Sequence, residues 1–159
     1  MSQTIPHIPY PVSLATVDIA IYNYDKGVLL GKKANSDKLR FIGGFCEPGE
    51  SHETSAKRET KEECGLDISD ELLTGQDMNK MLKMEYLGSY FIDDDRYKNS
   101  PHKITTSFYK VMVDKKSKPK AGDDIVEVEW VPIEHLWKHY KEIVHPNHII
   151  LMEILFKNF

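Results

Sequence analysis

Apolar positions in this chain come in short runs, and the spacing inside each run predicts its element. From Leu14 to Tyr22 alternation and β-branching read as a strand. Asn23-Tyr24-Asp25-Lys26-Gly27 reads as a turn, and Val28 to Lys32 as the returning strand. Phe41-Ile42 is a short apolar piece that runs straight into Gly43-Gly44. The turn Glu47-Pro48-Gly49-Glu50 leads to Ser51, an N-cap for a helix from about His52 to Cys64, with Gly65 as its stop. A short helix is expected over Asp70 to Met81. Met84 to Ile92 and Ile104 to Val113 read as aromatic-rich strands around a polar loop, Asp93 to Lys103. A second polar loop, Lys115 to Asp124, precedes an alternating strand from Ile125 to Val131. A short helix starts at Val131-Pro132-Ile133-Glu134, and Pro146 to Phe159 carries Ile149, Ile150, Met152, Ile154 and Leu155 at helical spacing. Strands, an embedded helix, more strands and a terminal helix predict an α/β domain with a mixed sheet.

Composition narrows the classes. The 159 residues suit one domain over 1–159, with residues 1–12, rich in proline, as an extended N-terminal arm. Hydrophobic residues make up 40% and charged residues 29%, the balance of a globular protein with a real core. No apolar run approaches the ~20 residues of a membrane helix, so no membrane partner is expected. Met1 to Tyr10 has neither the basic start nor the apolar stretch of a signal peptide, and a reducing cytoplasm is the expected compartment. The 21 Lys and Arg against 25 Asp and Glu give a net charge of −4, which argues against a nucleic-acid partner.

The informative stretch is Gly44 to Leu66. It holds Gly44, then Glu50, then Arg58-Glu59-Thr60-Lys61-Glu62-Glu63-Cys64-Gly65. On a helix Glu59, Glu62 and Glu63 stand at i, i+3 and i+4, so three carboxylates share one face. Like charges at that spacing repel, and a cation relieves the repulsion. Carboxylate oxygens are hard ligands that suit Mg²⁺ or Mn²⁺ rather than zinc. Arg58 can pair with Glu62 four residues on, or orient a neighbouring carboxylate. Gly43-Gly44 lets backbone approach a ligand or metal where a side chain would obstruct it.

This stretch resembles the signature of the Nudix hydrolases. Its fixed positions are filled by Gly44, Glu50, Arg58, Glu59, Glu62, Glu63 and Gly65. The one departure is Thr60, where the family prefers an aliphatic residue, and it bears on helix packing more than on the metal site. The resemblance implies an α/β/α sandwich and Mg²⁺- or Mn²⁺-dependent cleavage of a nucleoside diphosphate linked to another group. It implies metal ligation by Glu59, Glu62 and Glu63, with the Gly43 carbonyl as a further ligand, and catalytic roles for Glu62, Glu63 and Arg58. Glu50 and Gly44 would support that shell.

Three looser patterns resemble Nudix domains that act on ADP-ribose. They are Pro11 to Asp18, Phe91-Ile92-Asp93-Asp94-Asp95-Arg96 with His102 to Thr106, and Ala121-Gly122-Asp123-Asp124 with Trp130-Val131. They imply hydrolysis of ADP-ribose to AMP and ribose 5-phosphate, with Arg96, Asp123, Asp124 and Glu127 as substrate-side candidates. The general base stays open among Glu62, Glu63 and an acid of the late loop. Dinucleoside polyphosphates, NADH and modified nucleoside triphosphates stay open as substrates, and a non-catalytic ADP-ribose sensor stays open as the rival class. Other features read as structural. Cys46 and Cys64 are expected to be free thiols, the histidines from His135 to His148 surface or cap residues, and Lys115 to Lys120 a solvated hairpin loop. The apolar face of the last helix suits a core, with a homodimer contact as the alternative.

Overall fold

The computed structural model describes residues 10–68 and 84–159. The helix expected over Asp70–Met81, and residues 1–9 of the expected arm, lie outside the described residues. Seven strands form one mixed sheet: β1 (Ser13–Asn23), β2 (Gly27–Lys33), β3 (Leu39–Arg40), β4 (Ile42–Phe45), β5 (Glu85–Ile92), β6 (Lys103–Met112) and β7 (Ile125–Val131). The helices are α1 (His52–Cys64), α2 (Ile133–Ile143) and α3 (Ile149–Phe156).

β1 is the centre of the sheet. It runs parallel to β6 from the Ser13↔Lys103 pair to Tyr22↔Met112, and antiparallel to both β2 and β4. β2 also pairs with β3 and β7, and β5 pairs antiparallel with β6. Because strand side chains alternate in direction, β1 feeds two cores. Val17, Ile19 and Ile21 pack with Ala56 and Cys64 of α1, while Ala20 and Tyr22 pack in the other core with Leu136, Leu151 and Met152 of α2 and α3. Helices therefore cover both faces, and the architecture is an α/β/α sandwich.

Both ends of α1 are closed locally. The Ser51 side chain accepts from the Thr54 N–H, and Gly65 takes the left-handed conformation (φ 70°) while its N–H caps the Lys61 carbonyl. Thr60, the departure from the family pattern, is fully buried and donates its hydroxyl to the Ala56 carbonyl at 2.8 Å, so its polar group is satisfied inside the helix.

Two expectations change and a third holds. Lys115 to Lys120 does not close a hairpin, because β6 pairs with β1 and β7 pairs with β2. Pro146–His148 forms a 3₁₀ turn, and only Ile149–Phe156 is α-helical. The apolar face of that helix is a core face, with Leu151, Met152 and Leu155 fully buried. Among the described residues no helix is long and apolar enough to cross a membrane.

Candidate active site

Glycine pairing brings α1 against the sheet. In the β1·β4 ladder Asp18 stands opposite Gly43 and Val17 opposite Gly44. A Cβ at Gly44 would lie 2.5 Å from Glu59 Oε1, so only glycine leaves room for that carboxylate. The Gly43 N–H donates to Glu63 Oε2 at 2.9 Å. Glu59 and Glu63 are both buried on the inward face of α1, whereas the Glu62 side chain is 45% exposed.

Arg58 ties the cluster together. Its Nε donates to Glu50 Oε2 at 3.0 Å and one terminal nitrogen to Glu50 Oε1 and the Phe45 carbonyl, each at 3.0 Å. The other terminal nitrogen bridges Glu59 and Glu62 at 3.0 and 3.1 Å. Glu50 also accepts from the Ser55 hydroxyl and the Glu47 N–H, so it acts as the anchor of the guanidinium. The hydrogen bonds from Arg58 hold the Glu50 carboxyl at about 2, well below its usual range.

The late loop completes the acidic wall. It crosses over the end of α1, where the Lys120 N–H donates to the Cys64 carbonyl and the Gly122 N–H to the Glu63 carbonyl. This crossing brings Asp123, in the left-handed region at φ 49°, to Glu59 and Glu62. The three carboxylates each offer an oxygen within 4.8 Å of the others. An all-carboxylate donor set fits a hard divalent cation, and the cradle that a Gly44 Cβ would fill keeps Glu59 in reach. Glu63 lines the same cleft but spends one oxygen on Gly43. Burial, the largest cause, pushes Glu63 up to about 8 and also raises Glu59.

The cleft itself holds about 370 Å³. Beside the acids it is also lined by Lys33, Arg40 and Arg96. Lys33 lies 3.6 Å from Asp124, and Arg96 forks onto both oxygens of Asp94 at 3.0 and 2.8 Å. Of the substrate-side candidates, Arg96, Asp123 and Asp124 line the cleft. Glu127 does not. It stands on β7 opposite Lys32 and pairs with it at 3.6 Å, because the late loop has already ended at Ile125.

Of the lining residues that went unread as site residues, four bear directly on the charge of the cleft. Asp18 is buried, accepts from the Thr106 hydroxyl at 2.6 Å, and is pushed by burial up to about 7. His148 faces it, with Nε2 3.8 Å from Asp18 Oδ1. Its Nδ1 accepts from the Phe41 N–H at 3.1 Å, and burial holds its pKa down to about 3, so the ring is neutral. His148 is thus buried rather than on the surface, standing at the N-cap position of α3 without a side-chain cap bond, while the His145 side chain caps the 3₁₀ turn. Lys33 and Arg40 are the other two. Only Asp18 left a signal, as an acid inside an apolar strand. Cys46 and Cys64 are free, and burial raises both thiols, which keeps them unreactive at neutral pH.

A family model for the NUDIX domain matches residues 12–151. The chain belongs to the Nudix hydrolase family. Many solved structures resemble it, among them the following three. A MutT/nudix family protein from Enterococcus faecalis is 31% identical over 80% of this chain, with a TM-score of 0.59, and this chain covers 46% of that protein. The NUDIX domain of Shewanella oneidensis NrtR, complexed with ADP ribose, is 19% identical over 96% of this chain and 93% of its own, with a TM-score of 0.69. A bifunctional NMN adenylyltransferase/ADP ribose pyrophosphatase from Francisella tularensis, complexed with AMP and a Mn ion, is 19% identical over 94% of this chain and 43% of its own, with a TM-score of 0.67. At 19% identity the likeness is one of fold. No curated protein sequence matches this chain.

Proposed function

We propose that this protein is a divalent-metal-dependent pyrophosphohydrolase that cleaves a nucleoside diphosphate linked to a further group, with ADP-ribose as its substrate. The observation that carries the reading is one cleft lined both by the carboxylate trio of Glu59, Glu62 and Asp123 and by the cations Lys33, Arg40 and Arg96. Carboxylates that suit a cation and cationic side chains that suit an anion, lining one cleft, suit a metal-bound diphosphate. Support for ADP-ribose comes from the Shewanella domain, complexed with that molecule, and from the Francisella pyrophosphatase named for it.

In this reading one water oxygen bonds to one phosphorus and the bridging P–O bond breaks. The products are AMP and ribose 5-phosphate, and the water proton leaves to a carboxylate or to solvent. Glu59, Glu62, Glu63 and Asp123 would hold the cation, together with the Gly43 carbonyl. When bound there, Mg²⁺, or Mn²⁺ in its stead, would supply positive charge against the phosphate charge and lower the pKa of a water. Arg58 orients Glu59 and Glu62 and is itself anchored by Glu50. Arg96 and Asp124 meet the substrate side. A reducing cytoplasm suits the free thiols Cys46 and Cys64.

The test is a panel assay with Mg²⁺: ADP-ribose, a dinucleoside polyphosphate, NADH and a modified nucleoside triphosphate, with products identified. ADP-ribose is expected to be cleaved fastest. Glu62→Gln is expected to keep its fold, because the side chain is half in solvent, and to lose at least about a hundredfold in turnover. Near-normal turnover of that variant would overturn the metal-ligand assignment. Tight ADP-ribose binding with no cleavage of any panel member would convert the reading to a sensor.

A further inference from the structure

The outer face of α2 carries a large aromatic side chain that the described residues leave uncovered. Trp137 is 63% exposed, while Leu136 beside it points into the core and is fully buried. The indole is not loose. It stands edge-on to Phe156 at 4.8 Å, and Phe156 meets the Tyr140 ring at 5.3 Å, so a row of rings backs it. A rigid aromatic loses little freedom when something packs on it, which is why tryptophans of this kind anchor protein interfaces.

Glu134, Trp137, Lys138 and Lys141 follow one another at helical spacing and form one exposed stripe. Glu134 and Lys138 stand four residues apart, the spacing of an intrahelical ion pair. Among the described residues, however, neither meets an opposite charge. Lys141 lies over the Tyr140 ring at 5.8 Å rather than beside a carboxylate. The neighbouring flank of the helix differs, because His135 and His139 stack at 4.8 Å and His139 stands 3.5 Å from Glu142. The charges around Trp137 are thus the ones α2 leaves unmatched. They run from an acid at one end to a base at the other with the indole between, so the stripe turned end for end is its own complement.

We propose that a second copy of this chain docks on this face, α2 against α2 in antiparallel order about a twofold axis. Glu134 of each copy then meets Lys141 of the other, and the two Trp137 rings pack together at the centre. Lys138 falls on the flank of the contact and stays in water. A parallel arrangement would set Glu134 on Glu134 and Lys141 on Lys141, which like charges disfavour. One helix from each copy covers less than the roughly 1,200 Å² of a stable interface, so association is weak and builds with concentration. The proposal is independent of the hydrolase reading, because no residue of α2 lines the cleft.

Sedimentation equilibrium on the full chain, from about 10 µM to about 1 mM, tests it. The samples are wild type, Trp137→Ala, Glu134→Lys, Lys141→Glu and an equimolar mixture of the two charge reversals. Wild type is expected to pass from monomer to dimer over that range, and Trp137→Ala to stay monomeric. Each charge reversal sets like charges face to face twice and is expected to weaken the dimer at least about tenfold. In the mixture the reversed positions face each other with opposite charge, and affinity is expected to return to within about threefold of wild type. A wild type that stays monomeric overturns the proposal, as does a dimer that Trp137→Ala or both reversals leave unchanged. A mixture no tighter than either reversal alone overturns it too. If either reversal does not fold, Glu134→Gln and Lys141→Gln replace the pair, and dimers as tight as wild type in both overturn it.

Discussion

Adjacent glycines do different jobs here, and single methyl groups separate them. A Cβ at Gly43 would lie 2.1 Å from the Val17 carbonyl oxygen, backbone in the central strand that cannot yield without breaking the β1·β4 ladder. At Gly44 the obstacle is the Glu59 carboxyl at 2.5 Å, a side-chain end that can swing away. Gly43→Ala is therefore expected to lose about 3 kcal/mol of stability or to fail to fold. Gly44→Ala is expected to lose only about 1 kcal/mol, but to weaken divalent-cation affinity and turnover at least about tenfold. Thermal melts and metal titrations decide the point, and a Gly44→Ala protein with undiminished metal affinity would contradict it. At this scale the Glu59, Glu62 and Glu63 spacing was readable because a helix repeats locally. The role of Glu63 as acceptor for Gly43 was not, since the partners are twenty residues apart and meet only through the sheet.

Helix α1 is the element that aims the carboxylates, and its limits were legible because caps are local chemistry. Ser51 and Gly65 end it as the sequence suggests. Ser51→Ala removes one acceptor for an orphan N–H of the first turn and is expected to cost about 1 kcal/mol. Turnover at 25 °C should stay within about twofold of wild type, because Glu50 and Arg58 keep their own bonds. Urea denaturation with a parallel activity assay checks this, and an unchanged midpoint would refute the cap's contribution. By contrast, β3 is two residues long and has no propensity of its own. It exists because β2 pairs with it and Val144 bridges to Leu39. The late loop likewise reads as a hairpin in isolation, and its true path depends on the open carbonyls at the end of α1.

For the molecule as a whole, the buried ionisable groups set how stability follows pH. Burial raises Asp18 from 3.8 to about 7 and Glu63 from 4.5 to about 8. The folded state thus keeps protons that the unfolded state releases, so their contribution is full below about pH 4 and is lost as pH rises through 7 to 8. His148 works the other way. Held from 6.5 down to about 3, it contributes fully above 6.5 and loses that contribution as pH falls toward 3. The metal-free melting temperature is therefore expected to fall between pH 6.5 and 9. Asp18→Asn should flatten that fall, and Mg²⁺ should raise the melting temperature more at pH 8.5 than at pH 6, since it binds ionised carboxylates. Calorimetric melts in EDTA and in Mg²⁺ test all three, and a wild-type profile flat from pH 6.5 to 9 would reject the assignment.

What the sequence determined by itself was whatever a few consecutive residues can enforce: a capped helix, three glutamates on its face, two glycines ahead of it, and strands marked by alternation. That sufficed for the family and the α/β/α architecture. The tertiary structure alone decided which groups meet across long separations. It brought Asp123 to Glu59 and Glu62, kept Glu127 on a strand with Lys32, buried His148 against Asp18, and left Arg40 at the cleft with its Nε donor unpaired. The physical reason is that burial, desolvation and an unpaired donor are properties of a packed environment, and no local window of residues contains that environment.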